Sequence, residues 1–565
     1  MKTKINNIGN WLLCTAFLTL QASLLMSCSS DDDFGPDAPK NWAGTTETFT
    51  PTDERGFSTY YNPAIGRCGD PMPFYDQKAG EFKVLYLQEY DNNGACYHPL
   101  WGISSTDAAN YKSLGEVLPT GASTLEQDAA IGTGCAVYNE QDGLYYIYYT
   151  GHNVLCDNVE VVLRATSPDF KTWTKDMSWS LTGPKYGYSS VDFRDPQVFK
   201  GDDGLYHMVI STRPVNGGDP KFAEFKSADL KAWDHVGQFN MIWDRMLECP
   251  DIFKMGNYWY LVYSESYKAS WSRKVKYMMA SSWDDLKACF NDPGAYWPKD
   301  GKEGVLDSRG FYAGKTASNG TDRYIWGWCP FRSGKDIYEK NISVGGGDGN
   351  EPNWSGALVC HKVVQHADGT LTLGGVPAIK AKYNKEQPVT VMASNGYSNG
   401  TLSGDGAYVL YSRLGAHNHI SLTVTTSNNW DKFGISLVRG SDSKKYYTLV
   451  FNPENENWRK VNFEEEGPWT EEDDKTKDAS EKPKGFIDGI DSYGFDRPAD
   501  NVYKIDIYTD NSVMVMYVND RPADASSQGR NLCYTNRIYG IQKNCWSVNN
   551  YGGSITVSDV KVSEY

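Results

Sequence analysis

From about residue 70 to residue 377, short apolar runs alternate with clusters of Gly, Pro, Asn and Asp, and helical periodicity is almost absent. Three of the runs are aromatic strands: GLYYIYYTG (143–151), GLYHMVIST (204–212) and NYWYLVYSES (257–266). Each precedes a turn of related form. SPDFKTW (Ser167–Trp173) recurs as SADLKAW (Ser227–Trp233), more weakly as SWDDLKACF (Ser282–Phe290), and again in SSTDAANYKSLG (Ser104–Gly115). The spacings are 60 (227 − 167) and 55 (282 − 227) residues. The repeating unit is strand, turn, aromatic strand, long connection, strand, S-x-D turn. That is the pattern of one four-stranded propeller blade. With GFYAGKTASNGTDRYIWGWC (310–329) included, about five blades are expected. A sandwich of hairpins is the alternative, but a recurrence of this length favours radial repetition.

Beyond Pro377 the texture changes to longer alternating strands. YVLYSRL (408–414), HISLTVTT (419–426), KYYTLVF (445–451) and VYKIDIYTDNSVMVMYVND (502–520) read as a β-sandwich, interrupted by an acidic, Pro-containing insertion from Glu464 to Lys484. The expected class is all-β, a five-bladed propeller over 46–380 followed by a sandwich over 385–565. At the other end, Lys2 and Lys4 precede an apolar stretch from Trp11 to Met26, then LMSC (Leu25–Cys28). This resembles a bacterial lipoprotein signal over 1–28, with lipid on the Cys28 thiol. Residues 29–45 read as an acidic tether. The expected location is the cell envelope, by a lipid anchor in the outer membrane, and the acids after Cys28 suggest export to the cell surface.

Composition narrows the function. Aromatic residues make up 14% of 565 residues, with 38 Tyr and 18 Trp, which suits packed sheets and also surfaces that stack on sugars. A net charge of −16 with no long basic run argues against a nucleic-acid partner. Ten cysteines remain after Cys14 and Cys28 (12 − 2), without CxxC pairs or metal-ligand spacing. They read as mostly buried thiols, and neither a metal nor another cofactor is expected. With 8 His and no G-x-S-x-G elbow, a Ser/His/Asp hydrolase is not favoured.

Three acids share one local form: an acid, a Pro next or one residue later, then an apolar strand. Asp70 stands in GDPMPFY, Asp195 in FRDPQVF and Glu248 in ECPDIF. Their spacings, 125 (195 − 70) and 53 (248 − 195), correspond to two units and one unit. Innermost blade strands line a common channel, so equivalent positions converge at one mouth. Any one site reads as an ordinary turn before a strand. Three acids in one register are harder to explain structurally, because gathered like charges raise one another's pKa values. Such clusters mark functional sites.

RDP (194–196) and ECPD (248–251) resemble two motifs of glycoside hydrolase family 32, the fructan hydrolases and invertases. VLYLQEY (84–90), HPLWGISS (98–105), YYTGHN (148–153), LDSRGFYAGKT (306–316), RYIWGWC (323–329) and NWSGALV (353–359) follow in the family's order. The resemblance covers roughly 60 to 380. It implies a five-bladed propeller with a C-terminal sandwich, and an oligo- or polysaccharide substrate containing fructosyl units. It also implies roles: Asp70 as nucleophile, Glu248 as acid/base, and Asp195 as the group holding sugar hydroxyls. Arg194 would keep Asp195 ionised and position Glu248; Gln88 and Trp101 would line the sugar pocket. Tyr312 is either a supporting hydroxyl or a packing residue. The family's first motif usually reads W-M-N-D-P-N-G. Here it is RCGDPMP, with Gly69 and Met72 where two amide side chains are expected.

Two other readings stay open. One is an inverting arabinanase-like furanosidase, with carboxylates about 6.5–9.5 Å apart rather than the roughly 5–5.5 Å of a retaining pair. The other is a non-catalytic glycan-binding lipoprotein. Segments 153–160, 213–221 and 331–353 are candidates to shape the mouth of the site.

Overall fold

The computed structural model describes residues 59–63, 66–89, 98–241, 246–265, 274–292, 304–332, 352–439, 445–453, 455–456, 458–464, 493–520, 532–538 and 545–565. The leader and tether, residues 465–484 of the acidic insertion and most of 331–353 lie outside the described residues. Among the described residues strands dominate, all of the paired ones antiparallel. No described helix is long and apolar enough to cross a membrane.

The first part is a propeller. Five strands form its inner ring: Met72–Asp76, Ala130–Asn139, Tyr188–Lys200, Leu247–Met255 and Tyr312–Ser318. Each touches the next, and the last returns to the first. Each is the edge of an antiparallel group whose other strands lie further out. The short strand Arg67–Cys68 pairs with both Glu81–Glu89 and Pro352–Gln365, so the first and last groups merge into one nine-stranded sheet. That seam closes the ring with the two ends of the propeller sequence. The aromatic strands appear as Leu144–His152, Tyr206–Pro214 and Tyr258–Glu265, one strand outward from the ring. Their fully buried tyrosines, such as Tyr148, Tyr149 and Tyr260, pack between neighbouring groups.

The S-x-D turns share one geometry. Ser105, Ser167 and Ser227 each donate their hydroxyl to the aspartate two residues on, at 3.0, 3.0 and 3.2 Å. That aspartate accepts the amides two and three residues beyond it, as Asp169 does from Lys171 and Thr172 at 2.9 and 2.8 Å. The residue between adopts left-handed φ: Ala108 59°, Phe170 59° and Leu230 63°. The fourth copy differs. Ser282 caps the helix Trp283–Asn291, accepting the Asp285 amide at 3.1 Å. The same serine hydroxyl serves an ST-turn or a helix N-cap. Trp283, Leu286, Cys289 and Phe290 then recur on one helical face and are buried, which selects the helix.

The second part is a β-sandwich whose strands pair into one 13-stranded set through the long strand Cys545–Glu564. Strand His417–Thr426 alternates half-buried and buried residues, the signature of one packed face. Strand Val513–Val518 is buried throughout. Met514, Met516 and Val518 belong to the sandwich core, while Val513, Val515 and Tyr517 join the propeller's cluster. The two domains therefore share a continuous apolar contact. All nine described cysteines are free thiols, and seven are buried. Burial pushes Cys135 up to about 11, so it is inert packing.

Candidate active site

The inner strands carry bulges at matching places. Register slips between Gly132 and Gly134, Arg194 and Gln197, Glu248 and Asp251, and Tyr312 and Lys315. At three of these, a residue other than glycine takes left-handed φ: Asp195 58°, Cys249 52° and Ala313 55°. Such conformations cost of order 1–3 kcal/mol each and persist where the surroundings impose them. A bulge turns its strand locally and re-aims side chains. Here the effect is to bring Thr133, Asp195, Glu248 and Tyr312 into reach of one another's partners.

Asp70 sits in the turn just ahead of Met72–Asp76 and is 2% exposed. Its Oδ2 accepts the Thr133 hydroxyl at 2.5 Å, and its Oδ1 accepts the Trp328 indole N–H at 2.9 Å. Both partners donate, so both oxygens act as acceptors, the role of a carboxylate. Glu248 is fully buried. Its Oε2 accepts the Tyr312 hydroxyl at 2.8 Å, and its Oε1 accepts Arg194 Nη2 at 3.4 Å. Tyr312 is therefore more than packing.

Asp195 feels the charge of both. Its Oδ2 accepts the Cys249 amide at 2.8 Å, and its own amide donates to Thr150 Oγ1 at 3.0 Å. Burial pushes the Asp195 carboxyl up to about 7; Arg194 opposes the rise, while Glu248 and Asp70 add to it. That mutual influence places the three acids in one electrostatic neighbourhood. Arg194 is itself buried and held by Glu160 Oε2 at 3.1 Å and Asp192 Oδ1 at 2.8 Å. Burial raises the Glu160 carboxyl, yet Arg194, His152 and the Phe193 amide together hold it below its usual value.

The sign of the Asp195 shift makes a test. Its folded-state pKa lies above the unfolded one, so its neutral form stabilises the fold below about pH 4. That contribution is lost as pH rises through about 7. Asp195→Asn never charges. It is expected to melt at least about 2 °C above the wild type at pH 8, with a narrower gap at pH 5. Thermal scans at both pH values check this, and a gap independent of pH would contradict it.

Gln88 and Trp101 lie in the strand group that follows Asp70. Gln88 pairs with Cys68, Trp101 stands opposite Tyr86 on the next strand, and strand alternation puts the side chains of Gln88, Tyr86 and Trp101 on one face. Both are buried. Cys28 lies outside the described residues. The sequence reading missed Thr133, Trp328, Glu160 and Trp354. Thr133 carried a local signal, the Gly132–Gly134 frame around it. Trp354 bears on one departure in RCGDPMP, Gly69. A Cβ on Gly69 would stand 2.5 Å from Trp354 Cζ2, so the indole occupies the space an asparagine would take. Met72 is buried, and its Sδ accepts the Gly134 amide at 3.1 Å, tying the first inner strand to the second.

Comparison with known proteins bears on the family and the fold. The model of the glycosyl hydrolases family 32 N-terminal domain matches residues 61–372, and that of the GH32, BT1760-like, C-terminal domain matches 369–562. A sucrose-6-phosphate hydrolase of Zymomonas mobilis is 28% identical over 244 residues, 37% of this chain and 43% of that protein. A raffinose invertase of Escherichia coli is 26% identical over 309 residues, 52% of this chain and 60% of that protein. The chain thus spans about half the length of these relatives. Among solved structures, a sucrose-6-phosphate hydrolase from Lactobacillus gasseri aligns with TM-score 0.65 and 18% identity over 91% of this chain and 93% of its own. A fructan 1-exohydrolase IIa from Cichorium intybus aligns with TM-score 0.64 and 16% identity over 90% and 97%. At such identities the structural likeness concerns the fold, a propeller followed by a sandwich.

Proposed function

The chain belongs to glycosyl hydrolases family 32, and on that premise we propose that it hydrolyses β-fructofuranosidic bonds with retention of configuration. The substrates we assign are fructans of levan or inulin type and fructo-oligosaccharides. One observation carries this reading: two buried carboxylates, Asp70 and Glu248, both act on the charge of Asp195 but are held by different partners. Two acids in unlike surroundings suit the two roles of a retaining glycosidase.

In the first step an Asp70 oxygen attacks the anomeric carbon of the fructosyl unit. The bond from that carbon to the leaving oxygen breaks, and Glu248 gives its proton to the leaving oxygen. The departing sugar takes the electron pair of the broken bond. In the second step a water gives a proton to Glu248 while its oxygen attacks the same carbon. The carbon–Asp70 bond breaks and free fructose leaves. Two inversions give net retention. Asp195, with Arg194 beside it, faces the oxocarbenium-like charge that develops between these events.

Incubation with levan, inulin, sucrose and arabinan, followed by NMR of the first product, tests the proposal. The expected result is fructose released first as the β anomer. A first-formed α anomer would overturn the covalent mechanism. Release from arabinan alone, or from none of the four, would overturn the substrate assignment.

We also propose that the chain is anchored by lipid on Cys28, from the Leu25–Cys28 pattern after a short apolar run. Expressed in a Gram-negative host, the wild type is expected to take up labelled palmitate and fractionate with membranes, and Cys28→Ala to do neither. Equal labelling of both would refute the anchor.

A further inference from the structure

The two groups that hold the paired carboxylates sit on adjacent strands. Tyr312, which donates to Glu248, is the register partner of Trp328, which donates to Asp70, and their rings lie 5.3 Å apart. Immediately before Tyr312 and immediately after Trp328, the chain is held by one strand of the other domain, Leu532–Arg537.

The first hold is at 307–310. Asp307 Oδ1 accepts the Thr535 amide at 2.8 Å and its Oδ2 accepts the Thr535 hydroxyl at 2.6 Å. Ser308 returns its hydroxyl to the Thr535 carbonyl. The fit is close: a Cβ on Gly310 would stand 2.2 Å from that carbonyl. The second hold is at 329–330. Arg537 donates from Nη2 to the Cys329 carbonyl at 2.8 Å and from Nε to the Pro330 carbonyl at 3.2 Å. Asp307, Ser308, Thr535 and Arg537 are all buried. Asp307, His361 and Cys533 are near enough to share a cation. Both Asp307 oxygens, however, already accept from Thr535, and His361 lies 2.7 Å from the Tyr517 hydroxyl through Nδ1. That cluster is a satisfied interdomain network.

We propose that the sandwich strand Leu532–Arg537 is a positioning element for the hydrolytic site, with Thr535 setting Tyr312 against Glu248 and Arg537 setting Trp328 against Asp70. The proposal rests on the glycosidase reading above. It assigns the C-terminal domain a part in turnover that needs no contact with sugar. Small misplacements of catalytic groups can cost about 10²-fold in rate, so a clamp on both supporting residues matters to turnover more than to binding.

The test uses the full chain and five variants, assayed on whichever substrate the wild type cleaves. Thr535→Val keeps the backbone tie and removes the hydroxyl. It is expected to lower kcat about 10-fold with KM within about 2-fold, and Thr535→Ser is expected to restore most of the rate. In a Tyr312→Phe background the same Thr535→Val change is expected to cost less than about 2-fold, because it acts through the lost hydroxyl. Ser308→Ala, which loosens the tie from the propeller side, keeps the test open if Thr535→Val does not fold. Folded variants with wild-type kcat would overturn the proposal, as would an equal loss in the Tyr312→Phe background. A wild type without activity on any fructan would instead sink the glycosidase reading, which separates the two failures.

Discussion

Asp70→Asn is expected to lower turnover by on the order of 10⁴-fold or more while leaving the fold in place. The amide has the shape of the carboxylate. Its oxygen can still accept the Trp328 indole N–H, and the Thr133 hydroxyl can rotate to accept from the amide nitrogen. The change is therefore mild for packing. It is severe for chemistry, because a neutral amide lacks the anionic oxygen that must bond to the anomeric carbon. Steady-state release of fructose, together with denaturant unfolding, separates the two effects. Mass spectrometry guards against deamidation back to aspartate. Activity within about tenfold of the wild type would show that Asp70 does not form the covalent bond.

The acids were legible because each lies in the same short grammar, acid, Pro and apolar strand. In the structure that grammar has a cause at two of them. The bulge that slips the register just after Arg194 and just after Glu248 gives left-handed φ to Asp195 and Cys249, and so sets both acids. Local sequence can encode a local distortion. Trp328 and Thr535 left no such trace. Trp328 meets Asp70 across 258 residues of sequence, and Thr535 meets Asp307 across 228. Such contacts exist only once the ring is closed and the sandwich docked. The strand Val513–Val518 shows the same limit in packing. Its unbroken apolar run marks burial on both faces, but not that one face belongs to the propeller. At Ser282 the failure was different in kind. The recurrence of the turn motif predicts another turn, but Ser282 caps a helix there, and the apolar spacing after it decides between turn and helix.

Glu248→Ala separates the acid/base role from the nucleophile. It is expected to lower kcat on sucrose or fructan by about 10²–10⁴-fold, because the leaving oxygen departs without a proton and the water attacks without a base. Arg194 keeps Glu160 and Asp192 as partners, so its buried charge stays compensated and the fold is expected to hold. The space left beside Tyr312 and Arg194 admits a small anion. Azide needs no general base, so it is expected to capture the fructosyl-enzyme and give a fructosyl azide of retained configuration. Wherever breakdown of that intermediate limits the rate, azide is expected to speed turnover. Glu248→Gln keeps the side-chain volume, and azide is expected to help it far less. The limb of the pH profile governed by Glu248 is expected to vanish in both variants, and the groups facing it, Arg194, Tyr312 and Asp195, remain to set what pH dependence is left. An azide adduct of inverted configuration, or a pH profile identical to the wild type, would remove Glu248 from the acid/base role and with it the pairing with Asp70.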